Sequence, residues 1–251
     1  MNTYQIYPLT LGKMLLDQSS VCYARNPGTK IQCAMMAFLI TGGEELILVD
    51  TGCCDEAWAE KYHMPVAIAE NMTLENQLLK HGVRPRDIAI VINTHLHWDH
   101  CFHNNLFAHA KIYVQQRELE FADAPIPTQY RAYECTQMGL TPPWINTRGC
   151  FEIIDGDYAL RPGIDLVFLP GHTPGSQGVL VDTAKGKYLI AGDAIQANDA
   201  IENKTFGLIH PSGVHVNLFE YYETLKKLET IEATIFPGHE ITVIDHAVYP
   251  H

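Results

Sequence analysis

Four side chains in a short run define the chemistry this chain can do: His95, His97, Asp99 and His100, within Thr94-His95-Leu96-His97-Trp98-Asp99-His100. Alternate residues of an extended segment share a face, so the His95 and His97 imidazoles can reach one cation. If the chain then turns, Asp99 and His100 point to a second position a few ångströms away. Imidazole combined with carboxylate suits zinc, and also iron, manganese or cobalt. Two cations need more donors than these four residues supply. The remaining candidates are His172 in Pro170-Gly171-His172-Thr173-Pro174-Gly175, Asp193 in Gly192-Asp193-Ala194, and His239 in Pro237-Gly238-His239-Glu240. Glycine before each of them permits a sharp turn and a close backbone approach. A carboxylate has two oxygens, so Asp193 can bridge both ions.

The elements that must position these groups are short, apolar, β-branched runs. They predict strands at 37–40, 46–49, 88–92, 112–114, 166–169, 179–181, 188–191 and 234–236. Most are continuous rather than alternating, which implies burial on both faces. Asp50, His95, His172, Asp193 and His239 each follow one of these strands in a polar turn. If the strand ends gather along one rim, all five turns converge there, where chemistry is usually placed. Helices are expected over 73–81, closed by Gly82 as a left-handed cap, and over 115–122. A further helix starts at Asn217, with Glu220 completing a capping box, and presents Leu218, Tyr221, Tyr222, Leu225 and Leu228 on one face. The segment 123–148, which holds Pro125, Pro127, Pro142 and Pro143, reads as helix and loop covering the site. Strands mixed with helices throughout give an α/β architecture.

At 251 residues the chain is long enough for one large domain or two small ones. A formal net charge of −12, with no dense Lys/Arg run, argues against nucleic acid as a partner. No apolar run is long enough to span a membrane, and the N-terminal stretch lacks the apolar centre and cleavage site of a signal peptide. Seven scattered cysteines without a CxxC motif suit a reducing cytoplasm. The expected partner is a small-molecule substrate, and the sequence leaves the oligomeric state open.

The set HxHxDH, PGHTPG, GDA and PGHE, in this order, resembles the metallo-beta-lactamase superfamily. Within it the chain is most similar to the N-acyl-homoserine lactonases. The likeness runs through Met14-Leu15-Leu16-Asp17-Gln18-Ser19-Ser20-Val21, Leu48-Val49-Asp50-Thr51-Gly52 and Ile153-Ile154-Asp155-Gly156-Asp157-Tyr158. The resemblance implies one domain over 1–251 with an αββα sandwich fold. It implies that His95, His97 and His172 hold one metal, Asp99, His100 and His239 the other, and that Asp193 bridges. Asp50 would orient a ligand from behind. The implied enzyme is a hydrolase with two divalent ions, zinc first among them. A bridging hydroxide would attack a lactone carbonyl, and Asp99 would relay a proton to the leaving oxygen.

Two departures bear on substrate. Where such lactonases continue after the motif with a small residue, two glycines and an asparagine, this chain has Cys101, Phe102, His103 and Asn104. Phe102 and His103 are therefore candidates for reshaping the site, with packing the favoured role for His103. Where a tyrosine is usual, three residues past the bridging aspartate, Gln196 stands. It joins the substrate-contact candidates, unless another tyrosine takes that place. Cys101 reads as a required small residue rather than a nucleophile. The competing reading is a hydrolase of another carbonyl substrate, a thioester, amide or β-lactam. Iron-dependent oxygen chemistry ranks below it.

Overall fold

The computed structural model describes residues 3–204 and 207–251. In chain order its first half contains β1 (Gln5–Asp17), α1 (Gln18–Val21), β2 (Lys30–Thr41), β3 (Leu46–Val49), α2 (Glu56–Tyr62), β4 (Val66–Ala67), α3 (Leu74–Leu79), β5 (Ile88–Ile92), α4 (Trp98–Cys101), β6 (Lys111–Gln115) and α5 (Gln116–Asp123). There follow β7 (Phe151–Ile154), β8 (Tyr158–Arg161), β9 (Ile164–Phe168), β10 (Gln177–Thr183), β11 (Gly186–Ile190), α6 (Asn198–Glu202), α7 (Leu218–Glu229) and β12 (Thr234–Phe236). Short 3-10 turns fill much of the rest, including the proline-bearing stretch between α5 and β7.

The strands form two sheets, ordered β4-β1-β2-β3-β5-β6-β7 and β12-β11-β10-β9-β8. Apolar side chains from both interleave between them: Phe38, Val49, Ile90 and Ile92 from the first sheet meet Ile164, Val179, Ile190 and Phe236 from the second. The outer face of the first sheet is covered by α3 and α5 through Leu74, Leu78, Leu119 and Ala122. The outer face of the second is covered by α7 through Tyr221, Leu225 and Leu228. The chain is thus the expected αββα sandwich, and burial of both sheet faces explains the unbroken apolar runs.

Strand direction places the site. In the first sheet β3 and β5 run parallel. In the second, β10 is antiparallel to both β9 and β11, and β12 is parallel to β11. The turns after β9, β11 and β12 therefore leave the sheet at the same edge. These are the turns that carry His172, Asp193 and His239, and they meet the turns after β3 and β5 that carry Asp50 and the HxHxDH run.

Two expectations need correction. The 13-residue β1 was not anticipated, because Pro8 and Gly12 interrupt its apolar run; the register with β2 shifts between Thr10 and Gly12. In α7, Asn217 caps as expected, its Oδ1 accepting from the Phe219 and Glu220 amides. Glu220, however, does not turn back to close a capping box; it pairs with Arg117 on α5 at 2.7 Å. The buried face is Tyr221, Thr224, Leu225 and Leu228, while Leu218 and Tyr222 are exposed. The helix is rotated so that the Thr224 hydroxyl donates to the Pro170 carbonyl at 2.6 Å, tying α7 to the loop that carries His172. No helix of the described residues is long and apolar enough to cross a membrane.

Candidate metal centre

His95, His97 and His172 place one donor atom each within 4.8 Å of one another, and so do Asp99, His100 and His239. A third such group, His95, His100 and Asp193, lies between the two. Asp193 Oδ1 is 3.3 Å from His100 Nε2 and 3.2 Å from His239 Nε2, while its Oδ2 is 3.4 Å from His172 Nε2. One carboxylate thus turns an oxygen to each triad. Asp99 Oδ2 completes the second triad, 3.7 Å from both His100 Nε2 and His239 Nε2.

The rings are aimed from behind. His100 Nδ1 is 2.8 Å from Asp50 Oδ2, His172 Nδ1 is 2.7 Å from the Val214 carbonyl, and His239 Nδ1 is 2.9 Å from the Ala34 carbonyl. With Nδ1 committed outward, Nε2 faces the centre. His97 is reversed: its Nδ1 is the inner atom, 3.2 Å from His172 Nε2. Asp50 itself is held by the Thr94 amide at 2.7 Å and adopts a left-handed φ of 60°.

The donor set fits divalent cations on a direct test. His95 Nε2, His100 Nε2 and Asp193 Oδ1 are buried without a hydrogen-bond partner among the described residues. Buried polar atoms without partners are rare and need an occupant. The electrostatics agree. Burial, reinforced by the neighbouring imidazoles, holds His95 well below the ordinary histidine range, and burial with His172 does the same to His97. Such rings are neutral, as ligands must be. At His100 and His239 burial works in the same direction, but the carboxylates of Asp99 and Asp193 outweigh it and raise both. Asp193 is held well below the carboxylate range because His239, His100 and His172 outweigh its burial.

The backbone that delivers His172 is close-fitting. Gly171 has φ of 139°, and a Cβ there would lie 2.4 Å from the Tyr221 Cα of α7. A residue that the sequence did not single out locks two ligand loops together. Glu118 of α5 is fully buried and accepts from the Leu96 amide and the Tyr133 hydroxyl on Oε1, and from the Thr173 hydroxyl and the Gly175 amide on Oε2. Burial raises its carboxyl pKa against those four hydrogen bonds. Its only local signal is a glutamate on a helix, which is the commonest surface residue there.

A cavity of about 280 Å³ opens over the centre, bordered by His97, Asp99, His172, Asp193 and His239. Gln196 borders it too, but its Nε2 donates to Asp193 Oδ2 at 2.5 Å and is committed there. No tyrosine borders this cavity among the described residues; Tyr133 donates to Glu118 and Tyr221 to the Asp193 and Ala194 carbonyls. Phe102 and His103 do not border it either, and His103 has the packing surroundings expected of it. The α4 turn carries them away: the Phe102 amide binds the Gly52 carbonyl, Phe102 packs edge-on to Trp58, and His103 lines a separate pocket with Leu11, Cys53 and Leu74. Cys101 is fully buried, and burial pushes its thiol well above the ordinary range, so it offers no thiolate.

A model of the metallo-beta-lactamase superfamily matches residues 33–239, the span that contains every residue of both triads.

The chain belongs to the metallo-beta-lactamase superfamily.

Within the superfamily it falls in the lactonase branch. It is 30% identical over 253 aligned positions to the N-acyl homoserine lactonase AiiA of Bacillus thuringiensis subsp. kurstaki, covering 96% of this chain and 95% of that protein. A crystal structure of a B. thuringiensis AiiA variant with N-decanoyl-L-homoserine bound at the active site superposes with a TM-score of 0.79 at 26% identity, covering 100% of this chain and 99% of that one. An N-acyl homoserine lactone hydrolase with the product N-hexanoyl-L-homoserine at its catalytic metal centre matches with the same TM-score, identity and coverage. The superfamily's dinuclear divalent site and the two facing triads of this chain agree.

Proposed function

We propose that this metallo-beta-lactamase-fold protein is a lactonase that hydrolyses N-acyl-homoserine lactones, small-molecule substrates, at two divalent ions. The observation that carries the reading is Asp193 turning one oxygen to each of two His-rich triads, with its Oδ1 and the Nε2 atoms of His95 and His100 buried without a hydrogen-bond partner. His95, His97 and His172 would hold one ion, Asp99, His100 and His239 the other, with Asp193 between. Zinc suits this mix of imidazole and carboxylate best, and iron, manganese or cobalt fit the same donors. Bound there, two such ions supply Lewis acidity that acidifies water and polarises a carbonyl.

The protein's own groups do the rest. Asp50, Val214 and Ala34 hold three imidazoles in one tautomer, and Gln196 fixes the Asp193 carboxylate. Asp99 combines a place in the second triad with a face on the cavity, so its carboxylate is positioned to take a proton from water and deliver it to the departing ring oxygen. Water adds across the ester: the ring C–O bond breaks and a hydroxy acid is released. Both sheets contribute donors, so one domain over 1–251 carries the whole site. We assign the protein to the cytoplasm, where its seven unpaired cysteines stay reduced.

Acid release from N-hexanoyl-L-homoserine lactone, followed by pH-stat with zinc-, manganese-, cobalt- or iron-loaded protein, tests the reading. Asp99→Asn is expected to lower kcat by roughly 100-fold or more, the usual contribution of a positioned acid–base group. Full activity in that variant would remove Asp99 from the mechanism. The absence of a cavity tyrosine favours, as a second reading, a different carbonyl substrate. Turnover of a thioester or β-lactam, with no lactone opened, would establish it.

A further inference from the structure

Five imidazoles belong to the centre, and four of them have an acceptor behind the ring. His95 Nδ1 lies 3.1 Å from Thr94 Oγ1, whose own hydrogen goes to Asp50 Oδ2 at 2.8 Å. His100, His172 and His239 turn Nδ1 to Asp50 and to the Val214 and Ala34 carbonyls. His97 is the exception. Its inner atom is Nδ1, so the nitrogen behind is Nε2, and that atom is buried without a hydrogen-bond partner. For Nδ1 to offer a lone pair to a cation, the neutral ring must carry its hydrogen on Nε2. A buried N–H that meets no acceptor is rare.

Among the described residues two buried side-chain oxygens lack a partner: Asp193 Oδ1, which faces the centre, and Gln129 Oε1. Gln129 borders the cavity beside His97. It ends the 3-10 turn Pro127–Gln129, and its backbone is tied down. Its amide donates to the Ile126 carbonyl at 2.8 Å, and its carbonyl accepts from the Tyr133 amide at 3.2 Å. Tyr133 sets its ring edge-on to His97 at 4.7 Å between centroids, and the Ala132 carbonyl accepts from the Trp98 amide at 2.8 Å. The segment that carries Gln129 is thus fastened to the His97–Trp98 stretch. Burial lowers the basicity of His97, and the Gln129 side chain works against that shift, as an acceptor beside the ring does. The two orphaned atoms are opposite in kind, and neither has another claimant.

We propose that Gln129 is a positioning residue for the first triad: its Oε1 accepts the Nε2 hydrogen of His97 and so fixes the tautomer whose Nδ1 faces the cation. The inference rests on the two-ion reading above and supplies the backing acceptor of the fifth imidazole. Such acceptors aim a ring and make it a stronger donor. A glutamine that merely filled space would tolerate leucine, which has similar bulk and no acceptor.

The test uses zinc-loaded protein labelled with nitrogen-15 histidine. In the wild type, long-range nitrogen–proton spectra are expected to show His97 with its hydrogen on Nε2, slow to exchange with water. Gln129→Leu should speed that exchange. In chelator competition it should also weaken one of the two zinc ions by roughly 10- to 100-fold, the usual cost of losing such an acceptor, and leave the other within about threefold. Gln129→Glu keeps an acceptor oxygen, so it should restore the protected hydrogen and a zinc affinity at least that of the wild type. This second variant separates loss of the acceptor from damage to the fold. Unchanged zinc binding and unchanged His97 exchange in Gln129→Leu would overturn the assignment. So would equal weakening of both ions, or a Gln129→Glu variant as weak as the leucine. A rise in KM for the lactone with zinc binding unchanged would give Oε1 to the substrate and overturn it equally. In all these cases the wild type still binds two ions and the two-ion reading stands. A wild type that binds fewer than two would overturn that reading, and this assignment with it.

Discussion

At the scale of single residues, the two triads differ in charge as well as composition. His95, His97 and His172 are held neutral by burial, so the first triad is ready for a cation. His100 and His239 are raised above their ordinary value of 6.5 by Asp99 and Asp193 despite burial, so in the cation-free protein they keep protons that ligands must give up. The sign follows. A raised histidine stabilises the cation-free fold below pH 6.5 and ceases to do so as pH climbs through its raised value. Cation uptake in that window must expel protons, so apparent affinity should rise with pH from 6.5 upward. Calorimetric zinc titrations in buffers of differing ionisation enthalpy should show net proton release near pH 7, about one or two per protein. Zero release would mean that His100 and His239 are already neutral in the cation-free protein. The HxHxDH residues were legible in the sequence because their chemistry is set by local spacing. The part played by Gln196 was not, since a glutamine three residues past Asp193 carries no signal of whether it faces substrate or that carboxylate. The same holds for Glu118, whose role appears only once two remote loops fold onto it.

Elements fix the geometry through a few close approaches rather than through long helices. The runs at 46–49, 88–92 and 234–236 are strands at those same positions, because each is a compact block of β-branched and apolar residues between polar turns. Strands β7 and β8 escaped the pattern because they flank their sheets half-exposed, with polar and apolar residues mixed. The rotation of α7 was equally hidden: Tyr222 and Leu218 share the apolar stripe in sequence, but the contact with the His172 loop favours Thr224. That contact makes Gly171 a sensitive point. Gly171→Ala forces a Cβ against the Tyr221 backbone at a left-handed φ, which is expected to cost roughly 3 kcal/mol. Urea unfolding measures the cost directly. A loss under about 0.5 kcal/mol, the range of an ordinary surface change, would show that the loop and α7 can separate freely.

For the molecule as a whole, the centre is also a fastener between sheets. His95, His97, Asp99 and His100 follow β5 of the first sheet, while His172, Asp193 and His239 follow strands β9, β11 and β12 of the second. Ions held between them would join the two halves of the sandwich at the rim, where the Arg117–Glu220 pair and the bonds of Glu118 to Thr173 and Gly175 already tie α5 to the second sheet's side. Binding to the folded chain alone stabilises it by about 4 kcal/mol when free ligand is a thousandfold above Kd. For a chain of this size that corresponds to a melting shift of roughly 10 °C. Scanning calorimetry of chelator-treated against zinc-reloaded protein should show that difference, and Asp193→Ala, which removes the carboxylate shared by both triads, should abolish most of it. The variant serves as the internal control: if it melts with the same zinc-dependent shift as the wild type, the stabilising ions lie elsewhere and the seven residues do not form one centre. If instead the shift disappears in Asp193→Ala, the fastening function belongs to the triads that share this carboxylate.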